Sequence, residues 1–226
     1  MHQFSEVIFI RGKKVLISLG GTFEPIDSVR GISNKSSGKM GLALAEQAYI
    51  RGADVTLVAA NVSVRISPLF NVIYAQTSGQ MADTIFDIID EFDIFISTAA
   101  VGDFEVADRK DIKISSESPF DISLKPSLKI IREIKKINPS IFLVGFKAEF
   151  DLYYDELVKR ARKQIGDAGS DMVVVNDVSN ENCGFGSDNN KVLIVDDAGV
   201  LDLHLMSKRD VSKKIMMIIS KKIQDM

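Results

Sequence analysis

The sequence predicts an α/β protein built on a doubly wound, mostly parallel, Rossmann-like sheet, and three observations predict it. Short apolar runs alternate with segments of helical period through most of the 226 residues. The first run, KVLISL, is apolar almost throughout, as a strand buried on both faces requires. It ends in Gly20-Gly21-Thr22 ahead of a polar loop, a helix and a second apolar run, which together spell a βαβ unit.

Taken in order, residues 14–19 are the first strand, and a polar loop holding Pro25, Asp27, Arg30 and Asn34 follows. Ser36-Ser37-Gly38-Lys39-Met40-Gly41 opens a helix to Arg51, apolar at Leu42, Leu44, Ala45, Ala48 and Tyr49 and stopped by Gly52. The second strand is 54–60 and the third is 71–75. Thr77 and Gln80 have capping-box spacing and start a helix to Phe92 that presents Ile85, Ile88 and Ile89 on one face. Strand four, 93–98, runs into Ala99-Ala100-Val101-Gly102-Asp103-Phe104. Small residues at the C-terminal end of such a strand leave room for a ligand lying across the sheet edge.

Residues 105–125 are polar and lysine-containing, with weak strand pattern at 112–115 and 120–124, and predict a protruding flap. Helix 127–137, strand 141–146, a basic helix over 152–166 and strand 171–175 come next. Asn180 to Asn190 is rich in Gly and Asn and predicts a loop. The stretch 191–205 alternates around Asp197-Ala198-Gly199 as a β-hairpin that extends one sheet edge. Ser207 and Asp210 cap a last helix with an apolar stripe of Ile215, Ile218, Ile219 and Ile223. With no repeat or linker to divide it, the chain is expected to be one domain over 1–226.

The totals exclude several classes. A net charge of −3 argues against a nucleic-acid partner, and no apolar run approaches the ~20 residues that span a bilayer. The N-terminus lacks a basic leader with a small-residue cleavage site, so a cytoplasmic protein is expected. One cysteine, Cys183, forbids an internal disulfide, and two histidines, His2 and His204, disfavour a zinc centre or histidine-based nucleophilic catalysis. The helix start at 36–41 is not a Walker A loop, because Ser33 stands where its first glycine belongs and Met40 where Ser or Thr binds magnesium. Nor is it a dinucleotide fingerprint, since G-x-G-x-x-G is absent and Ala60-Asn61 offers no acid to a ribose. What remains is two small-residue loops converging on one helix start, an anion-binding arrangement. On their own, Asp103 and Lys113 read as solvated loop charges. Lys159 and Lys163, at i and i+4, read as a wet helix face.

The run Gly20-Gly21-Thr22-x-Glu24-Pro25-Ile26-Asp27-x-Val29-Arg30-x-Ile32-Ser33-Asn34-x-Ser36-Ser37-Gly38-Lys39-Met40-Gly41 closely resembles the signature of the phosphopantothenate–cysteine ligases, also called phosphopantothenoylcysteine synthetases. Ala99-Ala100-Val101-x-Asp103, Lys113-Ile114, Gly145-Phe146-x-Ala148-Glu149 and Asn176-Asp177-Val178-Ser179 fit the same family in order. The resemblance covers about 14–205 and is closest to the stand-alone bacterial type.

It implies a ligase of coenzyme A biosynthesis that joins 4′-phosphopantothenate to cysteine through an acyl-CMP intermediate, with CTP as co-substrate, Mg²⁺ carried mainly on phosphates, and a homodimer. By the same resemblance Gly20, Gly21, Ser37, Gly38 and Gly41 cradle phosphate, and Phe146, Lys159 and Lys163 contact the nucleotide. Asn34 and the flap residue Lys113 are its catalytic residues, while Ala99, Ala100 and Asp103 line the junction of nucleotide and substrate. A nucleotide-binding regulatory module of the same fold, without ligase activity, is the alternative.

Overall fold

The computed structural model describes residues 8–178, 183, 184 and 186–225. Strand β1 (Lys14–Leu19) leads through a small hairpin, β2 (Phe23–Pro25) and β3 (Gly31–Ser33), to helix α1 (Lys39–Ile50). Then come β4 (Asp54–Ala59), β5 (Asn71–Tyr74), α2 (Ser78–Ile88) and β6 (Ile94–Ser97). The pair β7 (Phe104–Val106) and β8 (Leu124–Pro126) precedes α3 (Ile131–Ile137), β9 (Phe142–Glu149), α4 (Tyr154–Ala168) and β10 (Met172–Asp177). The chain ends in β11 (Asn189–Asp196), β12 (Gly199–Ser207) and α5 (Lys208–Asp225).

Eight strands form one sheet in the order β12-β11-β10-β9-β6-β1-β4-β5. The strands from β10 to β5 run parallel, whereas β11 and β12 pair antiparallel at one edge. Numbered along the chain, the parallel strands lie in the order 3-2-1-4-5-6, the doubly wound arrangement. The chain leaves β1 toward one side and returns to β6 on the other, which opens a crevice at the carboxyl ends of those two strands.

Both faces of the sheet are covered, which is why its strands are apolar on both sides. Val15, Ile17 and Leu19 pack on one face with Leu44 and Ala48 of α1 and Ile215 and Ile219 of α5. Leu16, Phe95 and Leu143 pack on the other with Met81 and Ile85 of α2 and Ile134 of α3. Leu157 and Ala161 of α4 close that face over Val173, Val175, Leu193 and Val195. The expected capping box forms in full: Thr77 accepts the Gln80 N–H, and the Gln80 side chain accepts the Thr77 N–H.

Several local expectations change. The 20–34 loop contains the β2–β3 hairpin, whose three pairs are too short for a period to show. The flap takes no strand at 112–115; its paired strands β7 and β8 lie at its two roots instead. Helix α3 begins at Ile131 rather than at 127, and β9 continues to Glu149 because β10 pairs with it as far as Asp177. The hairpin runs 189–207, longer at both ends than expected. Of the motif stretch 176–179, Ser179 lies outside the described residues, as do parts of the 180–190 loop.

Candidate functional site

A cleft of about 790 Å³ lies over the carboxyl ends of the central strands. Its floor is the start of α1, where Ser37, Gly38, Lys39 and Gly41 line it. Gly38 is the N-cap residue, with φ 78° and no side chain to cap with, and the Lys39 N–H donates to Ser37 Oγ at a long 3.4 Å, so the helix start in the lining is only weakly capped. Gly41 has a different reason to lack a side chain. A Cβ there would stand 2.5 Å from Thr98 Oγ1 and 2.6 Å from Leu19 Cβ, so only glycine lets α1 approach the ends of β1 and β6 this closely.

Gly20 and Gly21 build the wall rather than the lining. Gly21 exchanges backbone hydrogen bonds with Asn61, at 3.0 and 3.1 Å, and Gly20 accepts the Ala100 N–H at 2.8 Å. The Asn34 carbonyl sits where a Gly21 Cβ would be, at 2.5 Å. These contacts bring the Asn34 loop against the end of β6, and the Asn34 side-chain amide donates to the Ala100 carbonyl at 3.1 Å. Asn34, Ala99, Ala100 and Asp103 therefore share one stretch of the cleft lining.

The other expected residues divide. Phe146 lines the cleft half-buried, beside Gly145. On α4, Lys163 stands at the rim and pairs with Asp167 at 2.9 Å. Lys159 lies off the lining, exposed and paired with Glu156 at 3.4 Å. The α4 side chain pressed inward is Gln164, whose Nε2 stands 2.1 Å from the position of a Gly145 Cβ. Lys113 is exposed on the flap and is not part of the lining, although the flap backbone next to it is tied down at Ile114.

Among the cations that line the cleft, Lys39, Lys208 and Lys129 are not among the expected site residues. Lys39 donates to the Gly186 carbonyl and to Asp188 Oδ1, both at 2.7 Å. Lys208 is buried and donates to the Gly184 and Ser187 carbonyls at 2.9 and 2.5 Å. Burial pushes the Lys208 ammonium down from the ordinary lysine value, Lys39 nearby adds to that, and Asp188 opposes it. Lys129 pairs with Asp103 across the cleft mouth. Lys39 belongs to the family signature, where it follows the helix-start glycine. Nothing in local pattern marks Lys208 or Lys129, whose place depends on distant chain segments meeting.

With Lys147, Arg160 and Lys163 also present, the lining carries more positive than negative side chains, which suits a polyanionic ligand. Its carboxylates are occupied: Asp103 by Lys129, Glu149 by Arg160 at 2.7 Å, and Asp167 by Arg132 and Lys163. Among the described residues no group of three or more His, Cys, Asp or Glu side chains is placed to hold a metal ion.

A family model described as the DNA/pantothenate metabolism flavoprotein C-terminal domain matches residues 10–223. The chain is 42% identical over 210 residues to the coenzyme A biosynthesis bifunctional protein CoaBC of Thermococcus kodakarensis, over 91% of this chain and 50% of that protein. It is 37% identical over 214 residues to the protein of the same name from Bacillus subtilis, over 93% of this chain and 52% of that one. The chain thus spans about half the length of the curated relatives it matches. A crystal structure of the C-terminal domain of a coenzyme A biosynthesis bifunctional protein CoaBC superposes with a TM-score of 0.81 at 27% identity, covering 98% of this chain and 100% of that one.

Proposed function

The chain belongs to the DNA/pantothenate metabolism flavoprotein C-terminal domain family, and from that premise we propose that it is a phosphopantothenate–cysteine ligase of coenzyme A biosynthesis. The observation that carries this reading is the meeting of Asn34 with Ala100 beside the glycine-capped start of α1, inside a cleft lined by cations. In the first step a carboxylate oxygen of 4′-phosphopantothenate attacks the α-phosphorus of CTP. The bond to the β-phosphate oxygen breaks and pyrophosphate leaves. In the second step the cysteine amine attacks the acyl carbon, CMP departs, and the ammonium formed at that nitrogen gives up its proton.

Such chemistry asks for alignment and charge neutralisation more than for proton transfer. The first-turn amides of α1, with Ser37 and Gly38, take phosphate oxygens, and Lys39 and Lys208 supply positive charge at the same end. The Asn34 amide faces the acyl group, Phe146 and Lys163 face the nucleotide, and flap Lys113 closes over its phosphates. Because the cleft carboxylates are already ion-paired, a magnesium ion fits best when carried on the nucleotide, where it neutralises phosphate charge. Two copies of the chain form the working unit.

Pyrophosphate release tests the reading. With Mg²⁺, CTP and 4′-phosphopantothenate it is expected to proceed without cysteine, and cysteine converts the intermediate to the amide and CMP. No release with CTP or ATP would end the ligase reading, while a higher kcat/KM with ATP would overturn only the choice of nucleotide.

A further inference from the structure

The turn at 26–30 and the flap meet at one buried carboxylate. Asp27 is 2% exposed although it sits on a surface hairpin. Its Oδ1 accepts the Val29 and Arg30 N–H groups, each at 2.8 Å, which is all that closing the turn requires. Its Oδ2 is used differently. That oxygen accepts Arg30 Nε at 3.0 Å, Arg30 Nη2 at 2.5 Å and the Ile114 N–H at 3.1 Å. Arg30 Nη2 also donates to the Ile114 carbonyl at 2.8 Å, so both backbone groups of one flap residue end on the Asp27–Arg30 pair. Three residues before Lys113, the Lys110 N–H donates to the Ile26 carbonyl at 3.0 Å. Lys113 is therefore held between two anchors on the turn, at Lys110 and at Ile114.

We infer that Asp27 is a positioning residue for Lys113: its buried carboxylate, shared between Arg30 and the Ile114 backbone, sets where the flap ammonium stands. A turn-closing aspartate would need one oxygen and no partner 87 residues away in the chain. The inference rests on the ligase reading for what Lys113 does, but not for how it is held. It ties the flap to the hairpin whose last strand runs directly into Asn34, so the two proposed catalytic side chains share one support.

Asp27→Asn is the test, because it keeps the shape and an acceptor for the turn while removing the charge and one flap acceptor. Hydrogen exchange over 110–116 reads the anchor without reference to activity, and exchange there is expected to quicken by on the order of ten-fold or more. Single-turnover pyrophosphate release is expected to slow by about ten-fold, with KM for 4′-phosphopantothenate held. In a Lys113→Gln background, Asp27→Asn is expected to change the residual rate by less than about two-fold, because both substitutions act through one group.

Unchanged exchange, or fully additive losses in the double variant, overturns the inference. If the unsubstituted protein releases no pyrophosphate, the ligase reading falls, and the exchange arm still decides whether Asp27 holds the flap. Should Asp27→Asn fail to fold, Ile114→Pro deletes the same hydrogen bond from the flap side and is read in the same two ways.

Discussion

The Asn34 side-chain amide donates to the Ala100 carbonyl at 3.1 Å, and the two residues lie 66 positions apart. That bond joins the loop before α1 to the end of β6, the two strand-end segments that flank the crevice of a doubly wound sheet. One Nδ2 hydrogen is thereby committed to the wall, which fixes the direction in which the rest of the carboxamide points into the cleft.

Asn34→Ala is expected to leave the fold intact, since the residue is an exposed polar loop residue whose amide donates to one backbone carbonyl. Ligation is expected to fall by about 10²–10³, the scale for losing one donor to developing charge on an oxygen. Circular dichroism and thermal unfolding check the first half, and steady-state formation of the amide product checks the second. Near-normal turnover removes Asn34 from the reaction.

Gly41→Ala is expected to destabilise the protein by about 1–3 kcal/mol, the usual cost of forcing a methyl group into packed space. The new Cβ meets Leu19 Cβ, part of a buried strand, at 2.6 Å and Thr98 Oγ1 at 2.5 Å. Neither neighbour is the free end of a long side chain, so α1 itself must shift. For a chain of this size each kcal/mol lowers Tm by about 2–4 °C. A Tm equal to that of the unsubstituted protein would show that α1 has slack against the sheet.

Much of this was legible because burial leaves a period in sequence. The strands β1, β4, β6 and β10 lie within one or two residues of their expected bounds, since each is a mostly apolar run buried on both faces. The family signature placed Asn34, Gly38 and Gly41 together because it is a contiguous run. The orientation of α4 was not legible. A period of 3.6 shows which residues share a face, but the face that meets the cleft depends on how the helix lies on β9 and β10. Lys208, buried at the start of α5 and bonded to carbonyls more than 20 residues away, has no local signal at all.

That orientation gives an ordering within α4. Lys159→Ala is expected to change the nucleotide KM by less than about two-fold, because an exposed i,i+3 ion pair contributes little and the residue lies off the lining. Gln164→Ala removes the side chain that covers Gly145 and is expected to raise the same KM by on the order of ten-fold, the worth of one good hydrogen bond. Lys163→Ala, at the rim, falls between them. A larger effect at Lys159 than at Gln164 would mean that α4 turns when nucleotide binds.

Acid sensitivity follows from Asp27. The Arg30 side chain, opposed by burial and helped by the N–H groups of Val29, Ile114 and Arg30, holds its carboxyl well below the usual carboxylate range. Because the folded value is depressed, the stabilisation is fully present above the unfolded aspartate value of about 3.9 and is lost as pH falls through the folded one. The stability gap between the unsubstituted protein and Asp27→Asn is therefore expected to be flat from about pH 8 to pH 5 and to narrow below about pH 4. Urea titrations across that range check it. A gap that widens toward acid would mean that Asp27 is held in its protonated form.

The last prediction concerns the open edge of the sheet. Strand β12 is nine residues long, pairs with β11 on one side and lies at the end of the strand order. It exposes Val200, Leu201 and Leu205, while the flap side of the molecule exposes Phe104, Ile112, Phe120 and Leu124. A long edge with apolar side chains is a template for pairing, and proteins that keep such an edge cover it or shorten it. A symmetric pair of chains is the commonest cover. Light scattering at micromolar concentration is therefore expected to give about 50 kDa, twice the 24.9 kDa chain. Which of the two surfaces is used can be separated by charge: Leu201→Lys breaks a pair made through β12, and Phe120→Lys one made through the flap. A single species of one chain's mass, with both surfaces intact, would remove the dimer from the proposal and leave the cleft chemistry to one subunit.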